Sequence, residues 1–156
     1  MANLKINRHE FEKHLKLTDE IIEKISLFGT PLEKLTADEL EIEVLPNRPD
    51  LLSMHGFLRA LKAFLGKEPG LKEYKIKKSQ DYIVKIDSSV SNIRPYTACA
   101  IINNISLDNE KLKEIIDMQE KLHSTLGRKR KKVAIGIYPL DKIKFPIRYT
   151  ALPPQK

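Results

Sequence analysis

The stretch ELEIEVLPNRPDLL, Glu39–Leu52, leaves the backbone few choices. Leu40, Ile42 and Val44 alternate with Glu39, Glu41 and Glu43, the period of a strand with one buried and one solvated face. Pro46 and Pro49 then hold φ near −65° and keep the residue before each extended, so the strand must end in a short irregular turn at Asn47-Arg48-Pro49-Asp50. Ser53 next stands where a helix N-cap belongs, ahead of Phe57, Leu58, Leu61, Phe64 and Leu65 at helical spacing, with Gly66 as terminator. A strand, a fixed bend and a helix therefore follow in a defined order. The turn is read as architectural: Asn47 and Asp50 hydrogen-bond the local backbone and Pro49 fixes the bend.

Around this unit the same signals recur. Asn7 followed by Glu10 has capping-box spacing, which predicts a short helix to about Lys16. Thr18 caps a second helix with Ile21, Ile22, Ile25 and Phe28 on one stripe and Gly29 at its end, and Pro31–Leu35 is placed to pair with 39–46 as a hairpin. Residues 67–80, with Pro69, Gly70 and scattered lysines, read as a linker. Beyond it, strands are expected at 82–87, 96–105, 133–138 and 146–152. Between them lies one long helix capped by Asp108, with Leu112, Ile115, Ile116, Gln119, Leu122 and Leu126 on one stripe and Gly127 closing it. The expected class is α+β: a small N-terminal helical module with a β-hairpin over 1–78, then the first part of a mixed-sheet domain packed with one long helix over 79–156.

The 31% charged and 41% apolar content is that of a folded globular chain, with no apolar run long enough to span a membrane. The N-terminal residues have no apolar core of a secretory signal, and the one cysteine, Cys99, fits a reducing cytoplasmic setting. Lys and Arg balance Asp and Glu at 14 against 14 up to Asp81. From Tyr82 onward they stand at 14 against 7, so the whole +7 lies in the second half. Its densest point is Arg128, Lys129, Arg130, Lys131 and Lys132, five consecutive cations between a helix and a strand pattern. They suit RNA phosphates, and they equally suit a solvated turn complementing a helix dipole.

Catalytic and metal chemistry find no foothold. His9 and His14 are poorly spaced for one helical face, His55 has no partner in sequence, His123 reads as a helix-surface residue and Cys99 as a small buried hydrophobe. No glycine-rich phosphate loop or nucleophile elbow is present. The expected catalytic set and the expected metal set are both empty.

The blocks ELEIEVLPNRPDLLSMHGFLRALKAFLG, IRPYTACAII, MQEKLHSTLGRKRKKVAIGI and LDKIKFPIRYTAL resemble, in this order, the N-terminal region of the phenylalanyl-tRNA synthetase beta-subunit family. The brevity of the segment before Glu41 leaves no room for the barrel inserted in bacterial members, so the layout resembles the archaeal and eukaryotic form. The resemblance implies that 79–156 opens a tRNA-editing domain and that the chain stops inside it. Pro139 stands where the family usually has an acidic residue.

For the parent enzyme the resemblance implies a cytoplasmic heterotetramer. That enzyme attaches phenylalanine to tRNA(Phe) with ATP and Mg2+ and hydrolyses mischarged tyrosyl-tRNA. Its implied partners for this chain are the alpha subunit, the rest of the beta subunit and tRNA(Phe), with no membrane. The chain itself is expected to be structural and tRNA- or subunit-contacting, and catalytically silent alone. A reading of another class is a free-standing basic RNA-binding module.

Overall fold

The computed structural model describes residues 2–155. They form two compact units, residues 2–72 with 107–135 and residues 73–106 with 136–155. The long helix, expected to pack with the sheet of the second module, lies in the first of these units.

In the first unit β1 (Ala2–Asn7) leads directly into α1 (Arg8–Glu12), because the Asn7 side chain accepts the Glu10 N–H at 3.0 Å. The expected capping signal is there, but the strand before it escaped the sequence reading. After α2 (Asp19–Leu27), capped by Thr18 and followed by Gly29 at φ +87°, come β2 (Leu32–Leu35) and β3 (Glu39–Val44). The hairpin forms as expected. β3 is nevertheless the central strand, antiparallel to β1 on one side and to β2 on the other.

The register explains the alternation. Leu4 faces Ile42 and Ile6 faces Leu40, and all four are buried on one face of the sheet. Against that face pack Phe11, Ile25, Leu51 and the inner side of α3 (Met54–Phe64), whose Phe57, Leu58 and Leu61 are buried. Ser53 caps α3 through the Gly56 N–H at 3.0 Å, and Gly66 ends it at φ +71°. Phe57 is the aromatic hub, with the Phe11 and Phe28 rings centred 6.3 and 6.0 Å away.

The last helix of this unit, α4 (Asn109–Ser124), starts at Asp108, which accepts the Lys111 N–H at 2.8 Å. Leu122 packs on the core, and Glu114 reaches the His55 ring on α3, with its two carboxylate oxygens 2.9 and 3.0 Å from Nδ1. These contacts are why α4 joins the first unit. They also give His55 the partner that the sequence did not show.

The second unit is sparse. Strand β4 (Val84–Ile86) pairs in parallel with β5 (Ile147–Tyr149), and Tyr82 meets Phe145 ring edge to face at 5.1 Å. The strands expected at 96–105 and 133–138 are not paired in any ladder among the described residues. Their side chains have strand character, but an extended segment becomes a strand only when a neighbour takes its N–H and C=O groups. Cys99, expected to be buried there, is exposed.

Candidate nucleic-acid interface

The five cations follow α4 through a knotted turn. Thr125 and Ser124 turn their hydroxyls back onto the Lys121 carbonyl at 2.7 and 3.0 Å, ending the helix. Gly127 does not take the left-handed conformation expected of a helix stop. Its role is close approach: a Cβ there would lie 2.6 Å from the Val133 carbonyl oxygen and 2.8 Å from that of His123. The left-handed conformation falls to Arg128, Lys129 and Arg130, with φ of 48°, 55° and 65°. Each such residue costs roughly 1–2 kcal/mol against a right-handed one. Backbone bonds offset this: Arg130 N–H donates to the His123 carbonyl at 3.1 Å and Lys132 N–H to that of Gly127 at 2.9 Å.

The side chains divide the run into two kinds. Arg130, although exposed, folds back on the helix, its Nη2 on the Glu120 carboxylate and its Nε 3.1 Å from His123 Nδ1. Arg128, Lys129, Lys131 and Lys132 are exposed and have no side-chain hydrogen bond or ion pair among the described residues. A strained turn that holds four unpartnered cations outward, with the fifth as its buttress, is suited to a polyanion.

The buttress was missed from sequence. His123, expected on the helix surface, is only 4% exposed. Its Nε2 accepts the Ile135 N–H at 2.8 Å, while Gln119, one helical turn earlier, donates its amide to the Ile135 carbonyl. The two side chains thus take both polar groups of one residue of the segment expected to be a strand. The available signal was Gln119 itself, a polar residue within an apolar stripe, with a histidine four positions on.

The Asn47–Asp50 turn is built differently. Asp50 grips the Arg48 guanidinium in two bonds, Nε–Oδ1 3.0 Å and Nη2–Oδ2 2.9 Å, and that guanidinium lies 5.2 Å above the Phe28 ring. The main partner of Asp50 is therefore a side chain, where the sequence suggested local backbone. The paired Arg48 holds the Asp50 carboxyl below its ordinary range, and Asp50 raises the arginine in turn. Pro49–Leu51 form a single 3-10 turn whose Asp50 carbonyl would lie 2.2 Å from a Cβ at position 56, so Gly56 is what lets α3 begin beneath the turn.

No family model matches this chain. It is 44% identical over 133 residues to the phenylalanine–tRNA ligase beta subunit of Methanosphaera stadtmanae, covering 85% of this chain and 24% of that protein. Against the same subunit of Sulfolobus acidocaldarius it is 45% identical over 131 residues, 83% of this chain and 24% of the relative. The match to the Methanosarcina acetivorans subunit runs over 156 residues at 36% identity, covering 99% of the chain and 28% of the relative. Among solved structures, an N-terminal fragment of the Pyrococcus horikoshii phenylalanyl-tRNA synthetase beta subunit superposes with a TM-score of 0.83 at 34% identity. That match covers 96% of this chain and 45% of that fragment. The chain thus spans about a quarter of the length of the curated relatives it matches. The resemblance first read in the Asn47-Arg48-Pro49-Asp50 turn and the blocks after it holds across nearly the whole sequence: this chain is similar to phenylalanine–tRNA ligase beta subunits and, among solved structures, to an N-terminal fragment of one.

Proposed function

We propose that the chain serves as a structural, tRNA- and subunit-contacting part of a phenylalanine–tRNA ligase, without catalysing a reaction alone. The observation that carries this is the match along nearly the full chain to the beta subunits of such ligases. In this reading the parent enzyme charges tRNA(Phe) with phenylalanine using ATP and Mg2+ in the cytoplasm and hydrolyses mischarged tyrosyl-tRNA. Such editing answers a physical need, since an apolar pocket rejects one added hydroxyl only weakly. Residues 1–78 dock on the remaining beta subunit and the alpha subunit, and residues 79–156 contribute the opening part of the editing domain. Among the described residues no group of three or more His, Cys, Asp or Glu side chains is placed to hold a metal, and no helix is long and apolar enough to cross a membrane.

The cations Arg128, Lys129, Lys131 and Lys132 hold phosphates of the tRNA in this reading, while Arg130 fixes their turn and the 47–50 turn remains architectural. Titration of the chain with tRNA(Phe) at two salt concentrations tests it. Alanine at Arg128, Lys129, Lys131 and Lys132 together should flatten the salt slope by about one unit for each phosphate that is no longer neutralised. An unchanged slope removes the RNA role from this turn. Hydrolysis of tyrosyl-tRNA by the isolated chain above the buffer rate would overturn its silence. The alternative, a free-standing RNA-binding module, is favoured instead if the chain binds tRNA steeply yet fails to associate with the remaining subunits.

A further inference from the structure

His123 carries a constraint that its position on the helix does not reveal. Its ring is buried and meets two N–H donors, the Ile135 amide 2.8 Å from Nε2 and the Arg130 guanidinium 3.1 Å from Nδ1. A neutral imidazole has one accepting nitrogen, so it can satisfy one of them. The Ile135 contact is the shorter, and Nδ1 has Glu120 Oε1 at 3.4 Å as a partner for a proton of its own. Arg130 in turn places Nη2 on the same carboxylate. The arrangement that satisfies Ile135 and Glu120 together carries the ring proton on Nδ1. The opposite tautomer, or the doubly protonated ring, sets an N–H against the Ile135 N–H. The charged groups facing the ring are Glu120 from its own helix and Arg130 from the turn, and these two are paired with each other. Segment 133–135 presents the backbone amide of Ile135.

We propose that His123 is a positioning residue that latches the basic turn, and that it does so only as the neutral ring protonated on Nδ1. Its carbonyl receives Arg130 N–H, its Nε2 anchors the far end of the turn at Ile135, and its Nδ1 edge sits beside the Arg130–Glu120 pair. With both ends held, Arg128, Lys129 and Arg130 stay in their left-handed conformation. Protonation of the ring replaces the acceptor by a donor, releases Ile135 and frees the turn to relax. The latch is therefore sensitive to the protonation state of the ring, which decides whether Nε2 can accept. Its bearing on RNA rests on the reading of this turn as a phosphate grip; the latch itself does not.

Amide hydrogen exchange of Ile135, corrected for the intrinsic pH dependence, tests the latch at about pH 5.5 and 8. In the unaltered chain protection should fall about tenfold where the ring is protonated, the size of one ordinary hydrogen bond. His123→Gln, whose amide oxygen accepts at any pH, should keep its protection across that range, and His123→Ala should lack it at both. Equal pH dependence in the unaltered chain and His123→Gln overturns the proposal. Should His123→Gln not fold, nitrogen chemical shifts of the unaltered ring at about pH 8 decide: a proton on Nδ1 supports the latch, and a proton on Nε2 overturns it. tRNA binding at the same pH separates the two readings. Severalfold weaker binding by His123→Ala than by His123→Gln joins the latch to RNA. Equal binding by both, with the Ile135 difference intact, removes the phosphate grip and leaves the latch standing.

Discussion

The two units use similar side chains to opposite effect. In the first, fifteen apolar residues from Leu4 to Leu61 form one buried cluster. In the second, Val90 is the one buried apolar side chain among the described residues, while Tyr96 is 93% and Ile102 72% exposed. Both contain apolar segments of strand composition. The difference is pairing: β3 has a hydrogen-bonded neighbour on each side and a helix over its face, whereas 96–105 has no ladder. Hydrophobic pattern supplies the driving force of burial, but a partner that satisfies the backbone decides whether it is realised.

Truncation of matched side chains should separate the units most sharply. Phe57→Ala, in the hub of the first unit, should cost about 3–5 kcal/mol in urea unfolding, whereas Ile102→Ala should stay within about 0.5 kcal/mol. Comparable losses at the two sites would break the comparison.

A smaller loss is expected where the fixed bend meets α3. Gly56→Ala pushes a methyl group into the Asp50 carbonyl and should destabilise by about 1–3 kcal/mol, read as a lower urea midpoint at unchanged slope. A neutral result would show that the turn can move away from the helix.

The pair within that turn should matter less. Asp50 is held below its ordinary range, so its contribution is present above the unfolded carboxyl pKa of about 3.9 and is lost as pH falls through the lower folded value. Its side chain is 39% exposed, so solvent screening limits the effect to about 1 kcal/mol or less. Arg48→Ala should remove this acid-side dependence, measured as stability between pH values of about 2 and 5. Retention of the full dependence would assign it to other carboxylates.

The weakest expected effect is intermolecular. The exposed apolar side chains of the second unit and its two-stranded sheet should make the chain associate as concentration rises, with an elution volume by size exclusion that shifts accordingly. A monodisperse monomer at high concentration would show that these surfaces are inert.

Much of the fold is legible in local sequence. Caps at Asn7, Thr18, Ser53 and Asp108 are local events, decided by a side-chain oxygen within three residues of the N–H it takes, and the sequence contains both partners. The alternation at Glu39–Val44 likewise determined which face would be buried. In the candidate site, the five cations were visible, but their division into four outward side chains and one buttress was not. Arg130 differs from its neighbours through Glu120 and His123, ten and seven residues earlier.

What the sequence by itself determined are the features set by near neighbours: helix starts, the bend at Asn47–Asp50, the sidedness of β3 and the charge of the second half. Tertiary structure alone decided that β1 completes the first sheet and that α4 belongs to the first unit. It also decided that His123 is buried and that Arg128, Lys129 and Arg130 turn left-handed. Each of these depends on a hydrogen bond or packing contact with a partner distant in the chain, or on a ring buried by several such contacts. Local propensity carries no information about that partner.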